Sequence, residues 1–549
     1  MPEWNYATGW EAVADARPDA TALVHGDRRV PWRDFDDRAA RLATAFAELG
    51  VRPDAKVASY LYNGPEYMEG VYAAFKARAV PVNVNYRYLA DELVYLLENS
   101  DSEVLLFHGA LAEHVDSARS RLPGLRAVIQ VDDGSPHLDG ALAYEDLVAG
   151  HEPAPRIGRS PDDLYILYTG GTTGMPKGVM WRQGDIAGAT LPAAYLICGA
   201  PMPDGPEGAG AAAATVAAAG LTPVHVPASP LMHGTGLFTT LQASTMGGTV
   251  VTLESRSFDP HELWRVVGRE GVTQMAIVGD AFAKPMVAAL EEAEARGEPY
   301  DLSTLRLVIS SGVMWTEPVK QALMARGAFM CFDSLGSSEG VGIAAAITAP
   351  GGDAPTARFA IGEGAQVLDE AGRPVEPGSG EVGRVAVSGP IPLGYYKDPV
   401  KTAATFPTVD GVRYSIPGDW ARVAADGTVE LLGRGSVSIN TGGEKVYPEE
   451  VEEAVKGHPA VADAVVVGVP DERFGEAVTA VVSLRDGEAV DGEAIRATLD
   501  RAPATGAPAV LARYKRPRHV VVVDSVPRSA SGKVDYAWAR RVAIERLAR

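Results

Sequence analysis

At 549 residues, with 46% hydrophobic and 22% charged side chains, the chain is composed like a globular enzyme and is too long for one ordinary core. Its net charge of −21 argues against a nucleic-acid partner and against an anionic membrane surface, both of which need a basic face. Two cysteines, Cys198 and Cys331, exclude a disulfide framework and a cysteine-based metal site, which points to a reducing cytoplasm. The first residues carry no basic segment ahead of an apolar core, so no signal peptide is expected. No uncharged apolar run reaches membrane-spanning length.

In chain order, Phe35, Ala39, Leu42, Phe46 and Leu49 recur at helical spacing, and Gly50 closes that pattern. Residues 57–61, 164–168, 250–253, 275–278 and 305–309 read as short buried strands. The repeating β/α order predicts an α/β protein with largely parallel sheets covered by helices. Residues 200–220, rich in alanine, glycine and proline, read as an exposed or mobile insertion. Past 431–436 the texture changes to a compact α+β unit, with a helix near 448–456 and strands at 464–469 and 519–523. A large N-terminal domain, 1–435, and a small C-terminal domain, 436–549, are therefore expected.

The stretch Tyr168-Thr169-Gly170-Gly171-Thr172-Thr173-Gly174-Met175-Pro176-Lys177-Gly178 follows one of those strands. Glycines let the backbone turn tightly and present N–H groups, the threonines add hydroxyls, and Lys177 brings a mobile charge. That composition suits a loop folded around a polyphosphate. A Walker A motif, by contrast, needs Gly-Lys-Ser/Thr, whereas Met175-Pro176 separates Gly174 from Lys177 and Gly178 follows it.

Further motifs fall in order behind this loop. They are Pro230-Leu231-Met232-His233-Gly234, Ser310-Ser311-Gly312, Asp333-Ser334-Leu335-Gly336-Ser337-Ser338-Glu339 and Ile416-Pro417-Gly418-Asp419. Gly433-Arg434, Gly442-Gly443-Glu444-Lys445 and Ser531-Gly532-Lys533 complete the series. Together they resemble the adenylate-forming superfamily of acyl-CoA synthetases, adenylation domains and luciferases over nearly the whole chain. The phrases Gly178-Val179-Met180-Trp181-Arg182, Gly433-Arg434-Gly435-Ser436-Val437-Ser438-Ile439-Asn440 and Glu444-Lys445-Val446-Tyr447-Pro448 are similar to those of actinobacterial ligases for steroid side-chain acids and of related diterpenoid-acid ligases from antibiotic biosynthesis.

The resemblance implies a large domain of stacked mixed sheets with helices, followed by a small mobile α+β lid. It implies ATP, Mg²⁺ and coenzyme A acting on a small-molecule carboxylic acid, with a homodimer left open. By the same resemblance, Thr169, Gly170, Gly171, Thr172, Thr173, Gly174 and Lys177 hold the β- and γ-phosphates, Gly312 lies against adenine, and Asp333 belongs to the nucleotide site. Ser338 meets the α-phosphate and Glu339 the Mg²⁺, a hard ion that favours oxygen donors. Asp419 accepts from the ribose hydroxyls and Arg434 contacts ribose or phosphate. Lys533 enters the site during adenylation, and His233 gates the acyl pocket. That pocket would also involve Gly279, Leu335, Gly336, Gly340 and Gly342, the last glycines leaving room for a bulky acid. Gly442, Gly443 and Lys445 line the CoA path. Ser436 stands at the hinge where many relatives carry aspartate, and Gly435 beside it offers permissive dihedrals.

Other readings compete. Gly336-Ser337-Ser338-Glu339-Gly340 satisfies Gly-x-Ser-x-Gly, which would make Ser338 the nucleophile of a serine hydrolase with His458 or His519. A non-enzymatic carrier of an acyl adenylate or lipid would leave Lys533 without a task. A medium- or long-chain fatty acid could replace the polycyclic one. Transfer to a carrier protein instead of CoA would have to occur in trans, since no carrier domain follows Arg549.

Overall fold

A computed structural model describes residues 3–171, 174–353, 355–434, 437, 439–441, 444–471, 475–499, 511, 515–528 and 534–548. It is a mixed α/β protein with two compact units. The first comprises Met1–Thr356, Gly362–Gly364 and Val387–Ser415, and the second Ala357–Ile361, Ala365–Ala386 and Ile416–Arg549. The sequence boundary at 435/436 therefore falls inside the second unit. Strands Asp419–Val423 and Val429–Arg434 pair with each other there, and helix Pro448–Lys456 packs on the latter.

The first unit contains two sheets. In one, the order runs Arg28–Pro31, Thr21–His25, Thr249–Thr252, Val224–Pro227, Gln274–Ile277, Leu307–Ser311, Met330–Ser337 and Gly340–Thr348. Every pairing is parallel except those of the two outermost strands. In the other, Gly394–Tyr395, Gly174–Arg182 and Leu164–Gly171 pair antiparallel, and five more strands continue in parallel from Val80–Asn83. The runs at 57–61, 250–253 and 275–278 are buried almost throughout, which is why they read as largely apolar segments without alternation, whereas in 305–309 Arg306 is exposed ahead of strand Leu307–Ser311. The helix expected from Phe35 spans Trp32–Glu48 and buries Phe35, Ala39, Leu42 and Phe46.

In the second unit, Val461–Asp471 and Gly475–Leu484 form an antiparallel pair, and His519–Val523 lies parallel to the latter. Helices Pro448–Lys456 and Tyr536–Leu547 both pack on Val461–Asp471. That sheet is covered by separate apolar clusters, one around Val451, Val455 and Val466 and another around Val465, Val481, Ala539 and Ala543.

The 200–220 segment corrects the expectation of a loose insertion. A short 3₁₀ turn, Pro206–Gly208, leads into helix Ala209–Ala218, whose Ala209, Ala213 and Val216 are fully buried. Small residues are needed because this helix crosses Tyr6–Ala16 so closely that a Cβ on Gly210 would land on the carbonyl oxygen of Ala12. Helix propensity alone favours alanine over glycine by about 1 kcal/mol. Overpacking against backbone outweighs that gain, so Gly210→Ala should lower stability by about 2 kcal/mol, read as a lower urea midpoint. A raised midpoint would mean the two helices do not meet this tightly.

Candidate active site

Four neighbouring parallel strands each end in one of the motifs. Val224–Pro227 leads to Leu231–Gly234, Gln274–Ile277 to Gly279, Leu307–Ser311 to Gly312, and Met330–Ser337 to Ser338 and Glu339. Ligands of open α/β sheets bind outside the carboxyl ends of such strands. In the second sheet, Leu164–Gly171 and Gly174–Arg182 form the hairpin that carries the glycine/threonine loop. Thr169 stands opposite Lys177 and Gly171 opposite Gly174. Gly170 lies at the end of the first strand; Thr172 and Thr173 lie outside the described residues.

Three side chains join these elements, and none was given a site role from sequence. Asn83, buried at the end of Val80–Asn83, accepts from the Tyr168 N–H at 2.6 Å. It donates to the carbonyls of Tyr168 at 2.8 Å and Met232 at 2.6 Å. One amide thus ties the base of the glycine/threonine hairpin to the residue before His233. Trp181, on the same hairpin, donates its Nε1–H to the Ser338 carbonyl at 2.9 Å. Tyr395 donates its hydroxyl to Glu339 Oε1 at 2.7 Å, and its ring centroid lies 5.5 Å from Lys177 Nζ. The signal for Asn83 was an amide interrupting an apolar run, Val82-Asn83-Val84; for Tyr395 no local pattern distinguished it from Tyr396.

Lys177 is half-buried. Partial desolvation, and after it the neighbouring Lys401 ammonium, hold its pKa below the ordinary lysine value. Two ammonium groups this close favour a bound anion, and Asp398 and Glu339 offset them only in part. Lys401 is therefore a further cation of the site that sequence did not reveal. Glu339 and Ser338 form the two-residue turn between Ser337 and Gly340, and the Ser415 hydroxyl donates to the Glu339 carbonyl at 2.6 Å. Among the described residues no group of three or more His, Cys, Asp or Glu could cage a metal. Glu339 could still serve a cation such as Mg²⁺ that keeps several waters and takes only one or two protein carboxylates together with phosphate oxygens.

His233 precedes helix Gly234–Thr245, with its N–H on the Pro230 carbonyl and its carbonyl accepting from Leu237 N. Asn63 and Tyr67 hold the adjoining Leu231, through its N–H at 2.8 Å and its carbonyl at 3.2 Å respectively. Gly312 has φ +91°, and a Cβ there would face Val278 and Thr235 at van der Waals distance. Asp333 is buried and its carboxylate lies 2.9 Å from Lys320 Nζ, with burial raising its pKa against that pairing.

The pocket glycines have other reasons than room. Gly279 has φ +47°, and a Cβ would collide with the carbonyls of Val313 and Met314, where the 312–316 turn crosses the helix start. The space beside Gly340 is filled by Val387 and Ser415, so it does not enlarge a cavity. Gly342 has φ +70°, and Gly336 lies beside the Gly340 carbonyl. Leu335 is buried.

Gly-x-Ser-x-Gly is not a nucleophile elbow here. Ser338 lies in a hairpin turn between antiparallel strands, whereas the elbow needs a helix immediately after the serine. His458 and His519 belong to the second unit.

In that second unit, Asp419 follows Gly418 (φ +101°) and opens strand Asp419–Val423, directly across from Arg434. Lys445 pairs with Asn440 in the hairpin of Ile439–Thr441 and Glu444–Val446. Ser436, Gly442, Gly443 and Lys533 lie outside the described residues. Arg528 and Val534 nevertheless form a β-bridge, and the Arg528 guanidinium grips Asp463 at 2.6 and 2.8 Å.

A glycine-rich hairpin, a lysine pair and a fixed carboxylate gathered beside strand ends form the arrangement of a phosphate-handling α/β enzyme. The AMP-binding enzyme model matches residues 10–396 and the AMP-binding enzyme C-terminal domain model residues 450–533, so the chain belongs to that family. It is an ATP-dependent, AMP-forming acid–thiol ligase that uses CoA. The chain is 46% identical over 98% of its length, and 95% of the relative's, to a 3-oxocholest-4-en-26-oate–CoA ligase of Rhodococcus rhodochrous. It is 41% identical, over 99% and 97%, to a medium/long-chain-fatty-acid–CoA/3-oxocholest-4-en-26-oate–CoA ligase of Mycolicibacterium smegmatis. Among solved structures it resembles ATP-bound MatB from Rhodopseudomonas palustris, at TM-score 0.80 and 25% identity, covering 98% and 99% of the two chains. No helix among the described residues is long and apolar enough to cross a membrane.

Proposed function

We propose that this ligase activates a bulky polycyclic acid, a steroid side-chain carboxylate before a diterpenoid one, as its acyl adenylate and passes it to CoA. The observation that carries the reading is the convergence of Lys177, Glu339 and the His233 loop through Tyr395 and Asn83. The steroid acid in the names of the two relatives supports the choice of substrate. In the first step the carboxylate oxygen attacks the α-phosphorus of ATP and pyrophosphate leaves. In the second, the CoA thiol attacks the adenylate carbonyl and AMP leaves. Both steps build charge on oxygen, so positioned donors and cations supply most of the acceleration.

Thr169, Gly170, Gly171, Thr172, Thr173, Gly174 and Lys177, with Lys401, grip the outer phosphates. Glu339 holds Mg²⁺, which neutralises phosphate charge when bound, and Ser338 meets the α-phosphate. Gly312 lies along the adenine, while Asp333, held by Lys320, shapes the strand end beneath it. Asp419 and Arg434 meet the ribose, Lys533 serves adenylation, and Gly442, Gly443 and Lys445 admit the pantetheine. Residues 436–549 act as the moving lid about Ser436, and His233 gates the acid.

The fatty-acid reading stands second because the M. smegmatis relative's name includes medium- and long-chain acids. A panel of steroid, diterpenoid and fatty acids, scored for AMP and thioester by mass spectrometry, separates the two. The steroid C-26 acid should be turned over best. Turnover restricted to straight chains would overturn the polycyclic assignment, and a carrier protein outpacing CoA would overturn the acceptor.

A further inference from the structure

We infer that Tyr395 is a positioning residue for Mg·ATP, its hydroxyl setting the metal-binding carboxylate of Glu339 and its ring face seating Lys177. The inference rests on the reading of Glu339 and Lys177 given above.

The side chain is built to stay where it is. Its strand, Gly394–Tyr395, pairs with Gly174–Arg182, with Tyr395 opposite Val179. Its N–H donates to the Thr402 hydroxyl at 2.9 Å, and its ring meets Phe406 edge-on at 5.8 Å. Gly394 before it has φ +143°, and the Thr402 side chain occupies the place of any Cβ, so the preceding position admits only glycine. Tyr395 is itself buried, which protects both of its polar contacts from water.

The two ends act on different groups. A carboxylate on a two-residue turn has a free χ rotation, and a ligand to a small, geometrically demanding cation must not rotate. The 2.7 Å phenol bond fixes one carboxylate oxygen and thereby the direction of the other. The ring acts on charge: an ammonium over an aromatic face is held by the ring quadrupole without neutralisation, so Lys177 keeps its charge for phosphate. An acidic residue in the same place would have paired with the lysine and competed with ATP.

These two functions separate by substitution. Tyr395→Phe keeps the ring and loses the hydroxyl; Tyr395→Leu loses both. Calorimetric titration with ATP in EDTA, and again at graded Mg²⁺, reads each without turnover. Tyr395→Phe should bind metal-free ATP like the unaltered protein, yet need about 5- to 10-fold more Mg²⁺ for half of the metal-dependent gain in affinity, an effect of one charge-assisted hydrogen bond. Tyr395→Leu should weaken metal-free ATP binding as well, by about 3- to 5-fold. Thermal unfolding run alongside keeps a misfolded variant from passing as a positive result. An Mg²⁺ requirement unchanged in folded Tyr395→Phe overturns the inference, as does metal-free ATP affinity unchanged in folded Tyr395→Leu. If the unaltered protein shows no Mg²⁺-dependent gain, or Glu339→Gln retains it in full, the underlying reading of Glu339 fails instead.

Discussion

Lys533→Ala is expected to lower the rate of acyl-adenylate formation by about 10²- to 10³-fold, the size of losing one preorganised donor to a developing charge, while thioester formation from preformed acyl-AMP stays within a few fold. The asymmetry follows from charge. In the first half-reaction an anionic carboxylate must approach an anionic phosphate, and a cation between them lowers a barrier that Coulomb repulsion would otherwise raise. In the second the thiol attacks an uncharged carbonyl, so charge develops on that carbonyl oxygen and on the departing AMP, and no anionic carboxylate has to be brought against an anionic phosphate. On either side of residues 529–533, Arg528 and Val534 form a β-bridge, and the Arg528 guanidinium is held by Asp463 on strand Val461–Asp471. Single-turnover measurement of pyrophosphate release, set against CoA consumption from synthetic acyl-AMP, checks the split. Equal losses in both half-reactions would remove Lys533 from the adenylation step.

The parts legible in sequence were those fixed by local chemistry. Runs such as 57–61 and 275–278 were strands because residues buried on both faces leave a nearly uninterrupted apolar signature, and 519–523 because its four successive valines favour a strand. The glycine/threonine loop stood out in sequence because its small donors fall in one stretch of chain, and the hairpin that carries it is observed at Leu164–Gly171 and Gly174–Arg182. The 200–220 segment was misread for the opposite reason. Its alanines and glycines resemble a flexible linker in composition, and only the nearness of Ala12, almost two hundred residues away, turns them into a packing surface. Gly340 was misread likewise, since a missing side chain looks like room until Val387 and Ser415 are seen to fill it. Asn83, Tyr395 and Lys401 lie far along the chain from the groups they touch, and no local spacing encodes such a meeting.

Asn83 carries the second large expectation. The main-chain ladder between Val80–Asn83 and Leu164–Gly171 is in register at Val82 and Ile166, and one step further the Asn83 amide takes over, matching the Tyr168 N–H and carbonyl as a peptide group would. Its second N–H reaches the Met232 carbonyl, so one buried side chain satisfies three main-chain groups at the joint between two sheets. Asn83→Ala leaves those groups unpaired in a dry site, where each costs about 1–3 kcal/mol; with some relaxation a net loss of about 3 kcal/mol is expected, read as a lower urea midpoint. Asn83→Asp should be worse despite its identical shape. It keeps the acceptor for Tyr168 N but turns a buried carboxylate toward two carbonyl oxygens, which either charges the cleft between them or forces the acid to hold a proton. Because Tyr168 opens the phosphate loop and Met232 precedes His233, both variants should also raise the KM for ATP and for the acid at temperatures well below unfolding. Effects on stability alone, with both KM values unchanged, would show that the joint holds the fold and leaves the site indifferent to it.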